Sequence, residues 1–201
     1  MTLLETAKAA VEKLTGMGRP AQWGLVSLVR ARKANAFRFC DDGFVPNHPA
    51  WPLIVYRSAV VLETDLDPAG IFEDLFGRHG WSDSWRNGIY SYVHYHSRIH
   101  EVLGVARGNA KVRFGGRRGR TLTLKAGDVA VLPAGTGHQC LSASDDFLVV
   151  GAYPLRGTYD ECSAPDDRGA AIHDIPKVVR PSLDPVYGRA GSLAKLWTKQ
   201  R

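Results

Sequence analysis

The stretch Gly88-Ile-Tyr-Ser-Tyr-Val-His-Tyr-His-Ser-Arg-Ile-His-Glu101 contains two histidines, His94 and His96, that are separated by a single residue. In a β-strand, alternate side chains point to the same face, so both imidazoles can project towards one point. The flanking residues are rich in aromatic and β-branched types, which favours a strand from Tyr90 to His96. The stretch therefore predicts a pair of imidazoles on one face of a sheet.

Two further segments bring more ligand-type side chains to the same place. Glu101 begins a second predicted strand, which runs to Arg107 and ends at the turn residue Gly108. Downstream, Asp128–Leu132 is typical of a strand and is followed by a tight turn over 133–137. His138 then begins the return strand. We expect these strand ends to converge on one cavity.

Together, His94, His96, Glu101 and His138 supply three imidazoles and one carboxylate, which predicts a metal site. Imidazole nitrogen and carboxylate oxygen together suit several divalent ions, including iron, manganese, nickel and zinc. A lone pair of histidines at this spacing is often only two polar residues on a strand. The additional glycines, proline, carboxylate and third histidine favour one bound divalent metal ion, and they leave its identity open.

Two segments of the chain, Gly88–Gly108 and Gly127–Ser142, resemble the two cupin motifs. Gly88 to Gly108 matches every fixed position of the first motif, G(X)5HXH(X)3,4E(X)6G. Gly127 to His138 matches the second motif, G(X)5PXG(X)2H(X)3N, except at its final position, where this chain has Ser142 instead of Asn. That Asn is not usually a metal ligand, so the departure leaves the metal site intact. The resemblance implies an all-β fold, the cupin double-stranded β-helix or jelly-roll barrel, with a few peripheral helices.

A wider part of the chain resembles the small bacterial cupins of the YjlB type. This resemblance implies no settled reaction. It is carried by five stretches: Phe37–Pro49, Pro52–Arg57, His94–Ser97, His100–Gly104 and Asp184–Gly188.

The remaining sequence predicts additions to a single barrel domain. Residues 1–35 are predicted to form an N-terminal helical extension and 36–201 the cupin domain, with a metal-binding barrel core at about 52–156 and a C-terminal tail at 157–201 that wraps the barrel. The extension should begin with a helix capped by Thr2. Residues 52–62 are predicted to form one long apolar strand, and Asp67-Pro68 is typical of a helix start.

Strand alternation also predicts which residues line the pocket beside the metal. These are Tyr90, Tyr92, Leu103, Cys140 and Ser142, which share parity with the candidate ligands on their own strands. The pocket should be largely apolar and aromatic. Cys140 can be read either as a small buried hydrophobe or as a functional thiol. His100 should face away from the metal, because it precedes Glu101. No catalytic residue beyond the ligands can be named.

Composition restricts the cellular context and the partners. The chain has 26 lysines and arginines and 20 acidic residues, which gives a net charge of +6. The basic run Arg113–Arg120 is typical of a hairpin turn, and no nucleic-acid-binding motif accompanies it. No apolar run approaches the roughly 20 residues of a membrane span. Three irregularly spaced cysteines argue against a disulfide framework and favour the cytoplasm. We therefore expect a small-molecule ligand and neither a nucleic-acid nor a membrane partner.

Two classes of function remain open at this point. The first is a metal-dependent enzyme on a small organic substrate, and dioxygenase-like chemistry is favoured over the isomerase, epimerase and decarboxylase activities that the cupin resemblance also allows. The second is a non-catalytic cupin that binds a small molecule. The retained four-ligand set favours an enzyme. The resemblance further implies a homodimer, because cupin barrels often pair through strand edges.

Overall fold

The computed structural model describes residues 18–19 and 24–198. The helix predicted from Thr2 lies outside these residues. Within the described part of the predicted extension, Gly24–Val26 forms a single 3-10 turn, and strand β1, Ala34–Phe37, already pairs with the barrel. The division of the chain at residue 36 stays a prediction.

Within the described residues, nine strands form two antiparallel sheets. After β1, they are β2 Leu53–Tyr56, β3 Trp81–Asn87, β4 Glu101–Arg107, β5 Asn109–Phe114, β6 Arg120–Lys125, β7 Val129–Leu132, β8 His138–Ala143 and β9 Leu148–Pro154. The larger sheet has the order β1-β2-β7-β4-β9-β3, and the smaller has the order β6-β5-β8. The helices are peripheral: α1 Pro68–Arg78, α2 Asp167–Asp174, α3 Leu193–Leu196 and a 3-10 turn at Ile175–Lys177. The all-β prediction is confirmed.

The four central strands of the larger sheet, β2, β7, β4 and β9, are buried on both faces, which explains their nearly continuous apolar sequences. In β2, Leu53 and Val55 pack in the barrel interior against the smaller sheet. Ile54 and Tyr56 point the other way, into a second core beneath α1. The same strand therefore contributes to two cores, and every one of its side chains is buried.

The long strand predicted over 52–62 is wrong, because the extended structure ends at Tyr56. Arg57 and Ser58 turn the chain, and Ser58 adopts a positive φ of 47°. The buried carboxylate of Asp128 holds this turn by accepting from the Ser58 amide and the Arg57 guanidinium, both at 2.7 Å. Apolar composition indicated burial here but could not reveal this polar anchor.

Helix α1 starts as its sequence predicts. Asp67 is the N-cap, its carboxylate accepts from the Ala69 amide at 3.1 Å, and Pro68 occupies the first turn. The buried side of the helix packs on β4, where a Cβ on Gly104 would lie 2.4 Å from the Phe72 ring. Glycine at this position lets the helix approach the sheet closely.

The C-terminal segment covers the outside of the larger sheet. Trp197 is fully buried, and its indole donates to the Pro52 carbonyl at 2.8 Å. Nearby, the buried Asp184 accepts from the Tyr56 hydroxyl at 2.5 Å. These contacts fasten the tail to β2 and fix the wall behind the site.

Candidate metal centre

A short two-stranded contact brings His94 beside His138, the first residue of β8. The His138 amide donates to the His94 carbonyl at 2.9 Å, and the His94 amide donates back at 3.2 Å. The strand predicted over 90–96 is reduced to bridges at His94 and Tyr95, because the chain pairs there with two different segments. The Gly135 amide also donates to the His96 carbonyl, which ties the turn before β8 to the histidine segment.

The three histidines form a compact buried triad. One nitrogen from each of His94, His96 and His138 lies within 4.8 Å of the others, so the triad could hold a metal ion. In each ring Nδ1 is engaged by a backbone carbonyl: that of Thr136 for His138 (3.2 Å), that of Asp160 for His96 and that of residue 92 for His94 (3.4 Å). Such bonds fix the ring orientation and leave Nε2 available for a ligand.

Glu101 is the first residue of β4 and is 2% exposed. Its Oε2 lies 3.3 Å from Nε2 of His138 and 3.5 Å from Nε2 of His96, yet it has no hydrogen-bond partner among the described residues. A buried carboxylate oxygen without a donor is costly unless a cation compensates it. The donor set therefore fits a divalent metal, and the role of Glu101 as a fourth ligand stays a prediction.

The charges of the four groups depend on one another. Burial alone would raise the pKa of the Glu101 carboxyl, but the imidazoles of His96 and His138 outweigh it and lower that pKa to about 2. Burial likewise opposes charge on His96, yet Glu101 raises the pKa of that imidazole to about 9. Burial and the neighbouring histidines lower the pKa of His138 to about 3 and also lower the pKa of His94. In the metal-free centre these shifts favour a proton on His96 over one on either of the other two imidazoles.

A cavity of about 300 Å³ opens onto this centre. Its volume is at the small end for ligand pockets, and its walls are largely aromatic. Beyond the four candidate ligands, it is lined by Trp85, Arg86, Asn87, Gly88, Ile89, Tyr90, Leu103, Tyr153 and Tyr159.

Two of the five predicted pocket residues, Tyr90 and Leu103, line this cavity. Tyr92 instead stacks on Tyr90, with ring centroids 4.9 Å apart, and is 44% exposed. Cys140 is half-buried against the barrel core, and Ser142 is exposed.

An irregularity in β8 explains the positions of Cys140 and Ser142. The pairing with β5 shifts here, so that Cys140 faces Val112 whereas Ser142 faces Lys111. A bulge of this kind breaks the two-residue alternation from which the shared inward face was inferred. Ser142 therefore leaves the barrel interior along with the exposed Lys111.

Three large aromatic residues that line the cavity were not predicted from the sequence: Trp85, Tyr153 and Tyr159. Trp85 lies over Gly151 of β9, where a Cβ would come 2.1 Å from the indole. Its Nε1 donates to the Tyr153 hydroxyl at 2.9 Å. Alternation along β9, in which Gly151 and Tyr153 share a face, was a signal for Tyr153. Nothing local in the sequence indicates that the tail brings Tyr159 back to the cavity.

Asp160, in the same tail segment, holds the bend after the His94-His96 pair. Its carboxylate accepts from the Ser97 amide (3.0 Å), the Ser97 hydroxyl (2.5 Å) and the Arg98 amide (3.1 Å). Because its carbonyl also accepts from His96, one residue fixes both a ring and the backbone beside it. The tail thus belongs to the structure of the site.

His100 lies outside the triad. Its ring is fully buried, and its Nδ1 accepts from the Ala134 amide at 2.9 Å, in the turn that precedes His138. The ring packs against Trp197 with centroids 4.9 Å apart. It therefore links the start of β4 to this turn from the side away from the cavity.

Comparisons with known proteins agree with this architecture. Residues 86–150 match the family described as Cupin domain. The chain is 42% identical over 169 residues to the uncharacterized protein YjlB of Bacillus subtilis (strain 168), an alignment that covers 84% of this chain and 99% of YjlB. The chain belongs to the cupin family. The resemblance to YjlB-type cupins inferred from the sequence is thereby confirmed.

Several solved cupin structures are more distant. An oxalate decarboxylase of Bacillus subtilis is 20% identical to this chain, with a TM-score of 0.35. The match covers 57% of this chain and 28% of the decarboxylase, so this chain spans well under two thirds of that protein. An uncharacterized double-stranded β-helix protein of Klebsiella pneumoniae is 16% identical with a TM-score of 0.34, covering 70% and 88% of the two chains. Acireductone dioxygenase of Bacillus anthracis, with cadmium in its active centre, is 19% identical with a TM-score of 0.30, covering 43% and 59%.

The described helices of this cupin are short. In the part of the chain that the structure describes, none has the length and apolar character needed to cross a membrane.

Proposed function

We propose that this cupin is a metal-dependent enzyme that acts on a small organic substrate, with dioxygenase-type chemistry as the favoured reaction. The observation that carries the proposal is the partnerless Oε2 of Glu101, which is buried beside Nε2 of His96 and His138. His94, His96, Glu101 and His138 would hold one divalent ion, which would supply a Lewis acid, or a redox centre if it is iron or manganese.

The cavity supports a function that involves a small organic substrate at the metal. It reaches the candidate ligands directly, so a substrate can lie beside the ion. Trp85 and Tyr153 form walls that would exclude water and orient a small ligand, and the half-exposed Tyr159 packs against Tyr153 at the cavity. Tyr153 is itself held by the Trp85 indole, which would keep this wall in place.

The lining also favours chemistry driven by the metal over proton abstraction by a side chain. Among the described lining residues, every carboxylate and imidazole belongs to the four candidate ligands. The guanidinium of Arg86 is engaged outside the cavity by Glu73 and Asp67. An isomerase or epimerase would need a positioned base besides the metal, and this lining offers only tyrosine hydroxyls and an amide.

The test is elemental analysis of protein purified without added metal, followed by oxygen uptake with a panel of small organic substrates. Iron or manganese with substrate-dependent uptake would support the dioxygenase proposal. A stoichiometric metal without uptake on any substrate would reject the dioxygenase part and favour the isomerase, decarboxylase or binding alternatives. Protein without metal would reject the metal-dependent function as a whole.

We further propose a homodimer and a cytoplasmic location. All three cysteines fall within the described residues and are free, which suits a reducing compartment. Strands β1 and β3 are the edges of the larger sheet and offer unpaired backbone for pairing between copies. Light scattering that finds only monomer at micromolar concentration would reject the dimer.

A further inference from the structure

Three side chains form a polar cluster beside the candidate metal ligands, here called the mouth cluster because one of them, Tyr159, also lines the cavity: Tyr92, Tyr159 and Glu161. Oε1 of Glu161 accepts from the Tyr92 hydroxyl at 2.8 Å, and Oε2 accepts from the Tyr159 hydroxyl at 3.3 Å. Both tyrosines are about half exposed, at 44% and 51%. The carboxylate therefore joins two aromatic rings at the protein surface.

The mouth cluster lies directly beside the candidate metal ligands. The Tyr92 ring is 5.5 Å from the ring of His94, and the Tyr159 ring is 5.1 Å from the ring of His96, measured between centroids. Glu161 thus bridges two tyrosines that flank two of the three histidines. Because Tyr159 also lines the cavity, a substrate at the metal would lie beside this cluster.

No cation of the protein neutralises this carboxylate. Among the described residues, the polar partners of Glu161 are the two tyrosine hydroxyls, and no lysine or arginine is within ion-pair distance. Arg86, which contributes to the cavity lining, is paired with Glu73 and Asp67 towards α1. The mouth cluster therefore presents a carboxylate without a basic partner and phenol rings whose faces are electron-rich.

We propose that the mouth cluster binds an alkylammonium group of the substrate while a hydroxyl or carboxylate at the other end of that substrate reaches the metal. The inference rests on the proposed function, which supplies the metal and the substrate site. An ammonium group would be attracted by the Glu161 carboxylate and by the ring quadrupoles of Tyr90, Tyr92 and Tyr159. An anionic group at the same place would be repelled. Substrates of this enzyme would thus be small amino or quaternary ammonium compounds.

The test compares two probes of the same shape, choline and its uncharged isostere 3,3-dimethylbutan-1-ol. Dissociation constants are measured by calorimetry on the metal-containing wild-type protein, on Glu161→Gln and on Glu63→Gln. The last variant is the matched control, because Glu63 is an exposed carboxylate whose removal changes the net charge equally. Metal content is measured on each sample.

We expect choline to bind the wild type and Glu63→Gln about tenfold more tightly than the isostere, and this preference to disappear in Glu161→Gln. A carboxylate that only fastened the tail would leave the ratio between the two probes unchanged. Equal binding of both probes to the wild type, or no binding of choline, would overturn the inference. If the wild type is then fully loaded with metal, the proposed function is unaffected by that result. Absence of metal from the wild type would instead reject the proposed function, and the inference with it.

Discussion

Oε2 of Glu101 lies 3.3 Å from Nε2 of His138, and among the described residues no donor satisfies that oxygen. A carboxylate oxygen and an imidazole nitrogen that both act as acceptors repel each other at this distance. Their contact is favourable only if a proton or a metal ion lies between or beside them. Here β4 begins at Glu101 and β8 begins at His138, so the meeting of two strand ends creates the contact.

Replacing Glu101 with Gln tests the charge of this contact while keeping its shape. An amide oxygen is a weaker ligand and removes one negative charge, so we expect metal affinity to fall by about 10- to 100-fold. Competition with a chelator measures the change. Glu63→Gln, at an exposed position, should leave the affinity unchanged. Equal affinities in the two variants would remove Glu101 from the ligand set.

Metal binding should depend on pH through His96. Glu101 holds the pKa of this imidazole at about 9 in the metal-free protein, so below that pH the ion must displace a proton. The apparent metal affinity should therefore rise with pH, by about tenfold per pH unit between about pH 7 and 9. Above about pH 9 it should become constant. His94 and His138, whose pKa values are lowered, are already neutral in this range and add no slope. Titrations across this range that show no dependence would contradict the assignment of the proton.

The wall formed by Trp85 depends on a glycine beneath it. A Cβ at position 151 would lie 2.1 Å from the indole, so Gly151→Ala should displace Trp85 and destabilise the fold by about 1–3 kcal/mol. Gly169→Ala is the control, since Gly169 lies in helix α2 with nothing within 4 Å of its Cβ. That change should stabilise by about 0.5–1 kcal/mol. Urea unfolding of both variants is the measurement, and equal effects would show that the close packing is unimportant.

The tail should contribute to stability through Trp197. This fully buried indole packs in the core beneath the larger sheet and donates to Pro52, so Trp197→Ala should cost about 3–5 kcal/mol. Leu155→Ala, at a side chain that is 76% exposed, should change stability by less than about 0.5 kcal/mol. Chemical denaturation compares them. A small loss in Trp197→Ala would mean that the tail is not integral to the domain.

The sequence predicted the elements that bear local signals. Strand β4 begins at Glu101 and β8 at His138 as expected, and Asp67 caps α1, because ligand spacing and capping chemistry are visible within a few residues. The position of Ser142 was missed because a bulge in β8 has no signature in that strand alone. Tyr159 was missed because its approach to the cavity depends on how a long tail folds back, which is a tertiary contact.

The central claim is that His94, His96, Glu101 and His138 hold one metal ion, and elemental analysis tests it most directly. The proteins to compare are the wild type, His96→Ala, His138→Ala and the control His173→Ala, whose imidazole is exposed in helix α2. We predict about one equivalent of metal in the wild type and the control, and less than about a tenth of that in the other two, because loss of one ligand from a four-ligand site removes most of its affinity. Unchanged metal content in His96→Ala and His138→Ala would contradict the account.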